Sequence, residues 1–244
     1  MCCRDYVMCI FAAIWSFVQT ILHLAWCIWA VNFYNCHYGI TRNTFKFLWY
    51  LTYFYSDSCV NVTVLDVIDY RYLGNETANR ALNLPFPPQS AAADRTANIF
   101  STYIVIDALW MVTALNLLIA TLCRIRNQWA LLMHFPWPSV LLILLFFDGV
   151  CAAWYGIDVS LTSDFQSWAM FIGIPNQDLL DEINIKLYAV SMVYPSILMM
   201  VIFSRLFIIW FVNLFLFFRI VQASVNAYQD FDDDASISIE SRCY

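Results

Sequence analysis

Long blocks of apolar residues dominate this chain. Four of them reach the roughly 20 apolar residues that a helix needs to cross a bilayer core of about 30 Å. They cover residues 7–33, 99–123, 138–157 and 187–218. The first has no Asp, Glu, Lys or Arg; the second and third each contain one Asp, and the fourth contains one Arg. The pattern predicts an all-α membrane protein whose core is a bundle of four transmembrane helices.

Composition supports the same class. Of the 244 residues 62% are hydrophobic and 12% are charged, whereas soluble domains are about half apolar and about a quarter charged. The net charge of −6 gives no basic surface for a nucleic-acid partner. The lipid bilayer is therefore the first predicted partner, and nucleic acid is excluded.

The charges of the connecting segments predict the orientation. Residues 124–137 carry Arg124 and Arg126 and no acid, and residues 158–186 carry five acids against Lys186. Short basic loops stay in the cytosol. We therefore expect residues 1–6, the 124–137 connector and the 219–244 tail to be cytosolic. The large 34–98 loop and the acidic 158–186 loop are then extracellular or lumenal.

The first outer loop carries two kinds of candidate modification site. Asn61 and Asn75 each open an Asn-x-Thr sequon, which is an acceptor for N-glycosylation on the outer side. Cys36 and Cys59 are the two cysteines of this loop, and a disulfide between them is favoured over two free thiols in an oxidising compartment. The bridge would enclose the aromatic run 45–55. That run is too short to span and suits the outer membrane face or the top of the bundle.

Four ionisable residues fall inside the predicted spans. They are His23, Asp107, Asp148 and Arg205. Such residues are costly in a bilayer and face partners or water. Counting 1.5 Å per residue from the span centres places all four in one layer. An interhelical salt bridge from Arg205 to one of the acids is favoured over a proton or cation path, because four unrepeated helices give little room for alternating access.

No catalytic constellation is present in the sequence. It has no nucleophile elbow, no phosphate-binding glycine-rich loop and no pair of zinc-binding histidines. The three histidines fall in a span, an outer loop and an inner loop. We therefore expect no enzyme activity, no catalytic residue, no metal site and no cofactor.

The cytosolic side offers two candidate signals. Cys2, Cys3 and Cys123 are juxtamembrane cysteines and candidates for palmitoylation, with plain reduced thiols as an equal alternative. Tyr228 and Phe231 form the tyrosine-x-x-bulky pattern that clathrin adaptors read in an extended peptide. The tail around them is acidic and has the composition of a solvated, disordered segment.

The layout also resembles known four-span proteins. The paired cysteines at the start, the large first outer loop, the Asp in Phe146-Phe147-Asp148 and the polar stretch 176–181 before a long fourth span carry the resemblance. They are similar to the four-span lysosomal-associated transmembrane proteins and to the Pasiflora-type tetraspan proteins. The first group implies an endosomal or lysosomal adaptor that recruits ubiquitin ligases through Pro-Pro-x-Tyr motifs, which this chain lacks. The second implies a part in septate-junction assembly.

Taken together, these features predict a non-enzymatic protein that organises or traffics other membrane proteins. Its membrane would be the lateral or junctional plasma membrane, the endosome–lysosome system, or both. Two alternatives stay open: a small transporter or channel subunit built on the four intramembrane residues, and an endosomal sorting adaptor. A lipid-handling role has no discriminating feature in the sequence.

Overall fold

The computed structural model describes residues 3–35, 44–56, 75–82, 87, 90–125, 128–174, 177–186 and 192–240. In these residues the chain forms ten helices. They are α1 (Cys3–Tyr34), α2 (Thr44–Tyr53), α3 (Asn75–Leu82), α4 (Ala91–Leu122), α5 (Gln128–His134), α6 (Pro136–Leu161), α7 (Phe165–Ile172), α8 (Gln177–Lys186), α9 (Tyr194–Phe203) and α10 (Ile208–Glu240).

Four helical segments are long and apolar enough to cross a membrane. They are Asp5–Tyr34 in α1, Ala91–Leu122 in α4, Leu131–Leu161 across α5 and α6, and Tyr194–Gln229 across α9 and α10. Each measures 30 to 36 residues, which exceeds the roughly 20 residues that a bilayer core requires. The prediction of an all-helical chain with four candidate spans is confirmed. The sidedness of the termini and the size of the first loop stay predictions.

Local signals set where these helices begin. The Ser90 hydroxyl accepts a hydrogen bond from the backbone N–H of Ala93 at 3.0 Å, as an N-cap residue does. The second span therefore begins at Ala91, upstream of the apolar block that starts at Ile99. Proline occupies the first position of α6 and the first turn of α9, where its missing N–H costs no helical hydrogen bond.

The fourth span is interrupted between α9 and α10. Arg205, Leu206 and Phe207 have φ angles of 47°, 56° and 56°, which is left-handed backbone that costs an L-residue roughly 1–2 kcal/mol each. The side chains of Leu206 and Phe207 are exposed. A backbone break inside a span is stable only where the surrounding protein satisfies it, so this turn calls for a structural or functional reason.

The chain forms two compact units. The first comprises Met1–Trp26, Tyr103–Gly149 and Arg205–Tyr244, and in it α10 packs against α5. The second comprises Cys27–Thr102 and Val150–Ser204, and it contains α2, α3, α7, α8 and α9. Each unit holds a network of buried polar side chains.

Candidate functional site

The first unit brings the four predicted intramembrane residues together. Asp107 and Asp148 lie at the midpoints of α4 and α6, His23 lies on α1, and Arg205 lies on the turn before α10. Asp107 and Asp148 are buried, and the side chains of Arg205 and His23 are 7% and 15% exposed. We call these four side chains the midplane cluster.

Arg205 bonds to Asp148 and approaches Asp107. Its Nε donates to Asp148 Oδ2 at 2.7 Å, whereas its second terminal nitrogen is 3.9 Å from Asp107 Oδ1. The Tyr103 hydroxyl also donates to Asp148, at 2.7 Å. Charge-assisted hydrogen bonds of this length are the strong ones. Asp148 is therefore held by two donors and is the fully satisfied carboxylate of the cluster.

His23 completes the cluster on the other carboxylate. Its Nδ1 lies 2.5 Å from Asp107 Oδ2, and the ring meets Tyr103 edge-on with centroids 4.8 Å apart. The Arg205 guanidinium lies over the Trp110 ring, 5.8 Å from its centroid. One cation and two acids are thus packed among aromatic rings, where the local dielectric is low and charge imbalance is costly.

A polar face of α1 supports this cluster. Gln19 and Asn213 exchange hydrogen bonds at 2.9 and 3.0 Å, and Arg205 also reaches Gln19 Oε1 at 3.4 Å. One turn away, the Trp137 indole donates to the Ser16 hydroxyl at 3.0 Å. The helical spacing of Ser16, Gln19, Thr20 and His23 indicates this face in the sequence. Asn213 was missed, because a lone Asn in a long apolar run gives no indication of its partner.

Several buried polar atoms in this part of the first unit have no hydrogen-bond partner among the described residues. They are Asp107 Oδ1, the second terminal nitrogen of Arg205, the Thr20 hydroxyl and the Trp110 indole nitrogen. Buried polar atoms without partners are rare and need an explanation. The cluster is therefore not a fully closed salt bridge.

The second unit contains an ionic network that sequence reasoning missed. Arg95, in α4, pairs with Asp158 in the last turn of α6, and its guanidinium lies 5.3 Å from the centroid of Tyr155. The Tyr53 hydroxyl of α2 bonds to Asp158 at 3.0 Å and to Ser196 at 2.8 Å. The sequence pattern placed Asp158 at the start of a loop, so it did not predict that this carboxylate pairs with Arg95. Since α4 and α6 both extend beyond their apolar blocks, Arg95 and Asp158 are helical residues.

Burial keeps Tyr53 protonated. Desolvation, and then the neighbouring Asp158 carboxylate, raise the pKa of Tyr53 above its ordinary range, against a smaller opposing effect of the Ser196 hydrogen bond. A protonated phenol is a hydrogen-bond donor. Tyr53 therefore ties α2 to α6 and α9 at any physiological pH.

The remaining predicted residues are placed as follows. Cys123 is exposed just after α4, and Tyr228 is exposed on α10, which continues through Phe231 to Glu240. Asn75 begins α3, and its sequon partner Thr77 is buried and bonds to Glu182. Cys2, Asn61 and both residues of the predicted disulfide, Cys36 and Cys59, lie outside the described residues, as do the side chains of Cys3, Asn75 and Phe231.

The helical backbone around Tyr228 bears on the sorting prediction. Adaptors read the tyrosine pattern in an extended peptide, whereas residues 228–231 are helical here. Recognition would require the end of α10 to unwind. The sorting motif stays a prediction.

Comparison of the chain with models of known protein families, with characterised proteins and with solved structures finds no match. The functional argument therefore depends on the two buried networks and on the helices that carry them.

Proposed function

We propose that this protein is a non-enzymatic membrane organiser, whose two outer connectors form a platform for other membrane proteins. One observation carries the proposal. The helices that follow the first and third spans, α2, α3, α7 and α8, belong to one compact unit and bond to one another. Their sidedness rests on the basic 124–137 connector.

Side-chain contacts hold this platform together. The Trp168 indole of α7 donates to the Thr52 hydroxyl of α2 at 3.0 Å. Arg80 of α3 pairs with Glu182 of α8 at 3.2 Å, and Gln166 of α7 bonds to Asp181 of α8. The Trp168–Thr52 bond is buried, whereas the other two contacts lie at the surface. Together they link short helices that have little stability alone.

The ends of α7 are also defined. Asp164 caps its first turn by accepting from the backbone N–H of Ser167 at 2.9 Å, and Gly173 ends it with φ 92°. Left-handed backbone of this kind is the usual place for glycine at a helix end. A platform whose helices have defined ends and fixed contacts presents a preorganised surface. Lateral or cell–cell recognition is tighter when the surface is preorganised.

The test disrupts a contact between two platform helices and leaves the four spans unchanged. We would tag the full chain in polarised cells and compare the wild type, Glu182→Gln and the matched control Asp178→Asn by proximity labelling at the cell surface. Glu182 joins α3 to α8, whereas Asp178 is an exposed acid on the same helix. We expect Glu182→Gln to lose labelled neighbours at equal surface level and Asp178→Asn to keep them. Equal labelling by all three chains would reject the platform.

The endosomal sorting alternative has its own test. Replacing Tyr228 with Ala removes the exposed aromatic side chain that an adaptor would bind. If the tail carries a sorting signal, the variant accumulates at the cell surface relative to the wild type. An unchanged distribution would remove the motif and leave the platform proposal untouched.

A transporter or channel subunit is the second candidate, because the fourth span is interrupted at Arg205. Discontinuous helices next to charged side chains at the bilayer midplane are typical of transporter binding sites. The test is the purified full chain in liposomes, with Asp148→Asn as the comparison. Solute or proton flux that depends on Asp148 would favour transport over the organiser. Absence of flux in the wild type would reject it.

A further inference from the structure

The midplane cluster has an odd number of fixed charges. Asp107 and Asp148 contribute two negative charges and Arg205 one positive charge, so a neutral His23 leaves the cluster at −1. The charged or titratable groups facing His23 and Asp107 in the first unit are Tyr103, Asp148 and Arg205. Cys27 follows His23 by one turn of α1. Because the positive charge of Arg205 is already counted and the other groups add none, the imbalance stays inside the bilayer, where a net charge is costly.

The distances indicate which carboxylate lacks a counter-charge. Asp148 receives Arg205 Nε and the Tyr103 hydroxyl, each at 2.7 Å. Asp107 has His23 Nδ1 at 2.5 Å, and its other oxygen has no hydrogen-bond partner in the described part of the chain, with Arg205 3.9 Å away. The guanidinium is therefore the counter-charge of Asp148. The positive charge that would balance Asp107 must then lie at the contact between His23 and Asp107.

We propose that His23, held by Asp107, binds one exchangeable proton, which makes the midplane cluster electrically neutral. A metal cation fits less well, because Asp107, which would be its acidic ligand, already lies 3.9 Å from the Arg205 guanidinium. His23 is the most exposed of the four side chains, at 15%.

Loss of this proton acts on the interrupted fourth span. Asp107 then carries an uncompensated charge 3.9 Å from Arg205, and the guanidinium is drawn between two acids. Arg205 is the first of three left-handed residues in the turn, so its movement changes the backbone at the break. The proton therefore couples pH to the backbone of this turn, whether or not the protein organises partners.

The experiment is a pH titration of the full chain in lipid nanodiscs. We would measure the Tm of the wild type, Asp107→Asn and the matched control Asp94→Asn, an exposed carboxylate on the same helix. We expect the wild-type Tm to fall as the pH rises and the proton leaves. Asp107→Asn, whose cluster is neutral without the proton, should lose this dependence, and Asp94→Asn should keep it. Identical profiles for the wild type and Asp107→Asn would overturn the site.

Two further measurements decide the remaining outcomes. Repeating the titration in sodium chloride and in choline chloride, at the same ionic strength, tests whether a metal cation replaces the proton. If the Tm at high pH is restored in sodium chloride but not in choline chloride, the proton assignment is overturned. Nitrogen NMR of the labelled wild type reads the His23 ring directly, with His23→Gln identifying its signals. A ring that stays neutral across the whole folded range would overturn the proposal even if Asp107→Asn fails to fold.

Discussion

At the residue scale, Arg205 is the side chain whose loss leaves the largest net charge in the midplane cluster. It is the positive partner of two buried carboxylates, and it lies 2.7 Å from one and 3.9 Å from the other. Removing one member of a buried ion pair leaves an uncompensated charge, whereas removing both members can be nearly neutral. The relative stabilities of the variants therefore follow from the net charge that each one leaves in the cluster.

We expect Arg205→Gln to be more destabilising than Asp148→Asn. The first leaves two acids against one protonated His23, and its cost is about 3–5 kcal/mol. The second leaves Arg205 and Asp107 balanced, because His23 can release its proton. The double variant Asp148→Asn/Arg205→Gln leaves Asp107 and a protonated His23, so it should be more stable than Arg205→Gln alone. The coupling should be on the order of 0.5–3 kcal/mol.

Reversible unfolding in mixed detergent micelles measures this order, with all four chains in one double-mutant cycle. Additive effects of the two substitutions would show that Arg205 and Asp148 do not act as a pair. An Asp148→Asn chain less stable than Arg205→Gln would contradict the charge count itself.

Asp164 gives a second prediction at this scale, outside the membrane. Partial burial works to raise the pKa of Asp164, but hydrogen bonds from the Ser167 backbone and hydroxyl, and from the Ser163 hydroxyl, hold it below its usual range. A lowered folded-state pKa contributes stability above the unfolded value of about 3.9, and this contribution disappears as the pH falls through the folded value.

We expect the Tm of the wild type to exceed that of Asp164→Asn at neutral pH and the difference to vanish at the acid end. Asn keeps the N-cap hydrogen bond but cannot ionise, so the difference isolates the charge. Asp164→Ala, which removes the cap, should cost about 0.5–2 kcal/mol at neutral pH. A difference between wild type and Asp164→Asn that does not change with pH would refute the assignment.

At the element scale, the break in the fourth span is the feature that the sequence does not reveal. Breaks in membrane helices usually coincide with Pro or Gly, but the turn here is Ser204-Arg205-Leu206-Phe207, and Pro195 lies in the first turn of α9. Contacts of Arg205 with α1, α4 and α6 accompany the turn. Such contacts depend on the three-dimensional arrangement, so an apolar pattern predicts one continuous helix instead.

A glycine should relieve the backbone strain at this turn. Leu206 has φ 56° and an exposed side chain, and Gly adopts that conformation without the penalty of roughly 1–2 kcal/mol that an L-residue pays. We expect Leu206→Gly to be neutral or stabilising. Leu109, equally exposed but inside α4, is the matched control. Leu109→Gly should lose about 1 kcal/mol.

Thermal unfolding of the two variants beside the wild type is the measurement. If Leu206→Gly loses as much stability as Leu109→Gly, then residue 206 occupies ordinary helix and the interruption is absent from the protein in lipid.

At the scale of the whole molecule, apolar length alone predicts the four spans, because crossing a bilayer demands it. The layer occupied by the four ionisable residues also follows from counting along each helix, since rise per residue is constant. The partners do not follow, because rotation and register between helices decide that Arg205 bonds to Asp148 rather than to Asp107. The Arg95–Asp158 pair was missed for a different reason. Both residues lie beyond the apolar blocks, where the sequence suggests loops.

The orientation of the molecule is the premise that the platform proposal shares with the sequence argument. Arg124 and Arg126 lie in the connector between the second and third spans, and short basic connectors are retained in the cytosol.

We therefore expect glycosidase treatment to shorten the wild type by two glycans, with Asn61→Gln and Asn75→Gln each removing one. A C-terminal epitope should bind antibody only in permeabilised cells. An unglycosylated chain with its C-terminal epitope exposed on intact cells would place α2, α3, α7 and α8 in the cytosol. The platform would then face cytosolic partners, while the charge balance of the midplane cluster would be unaffected.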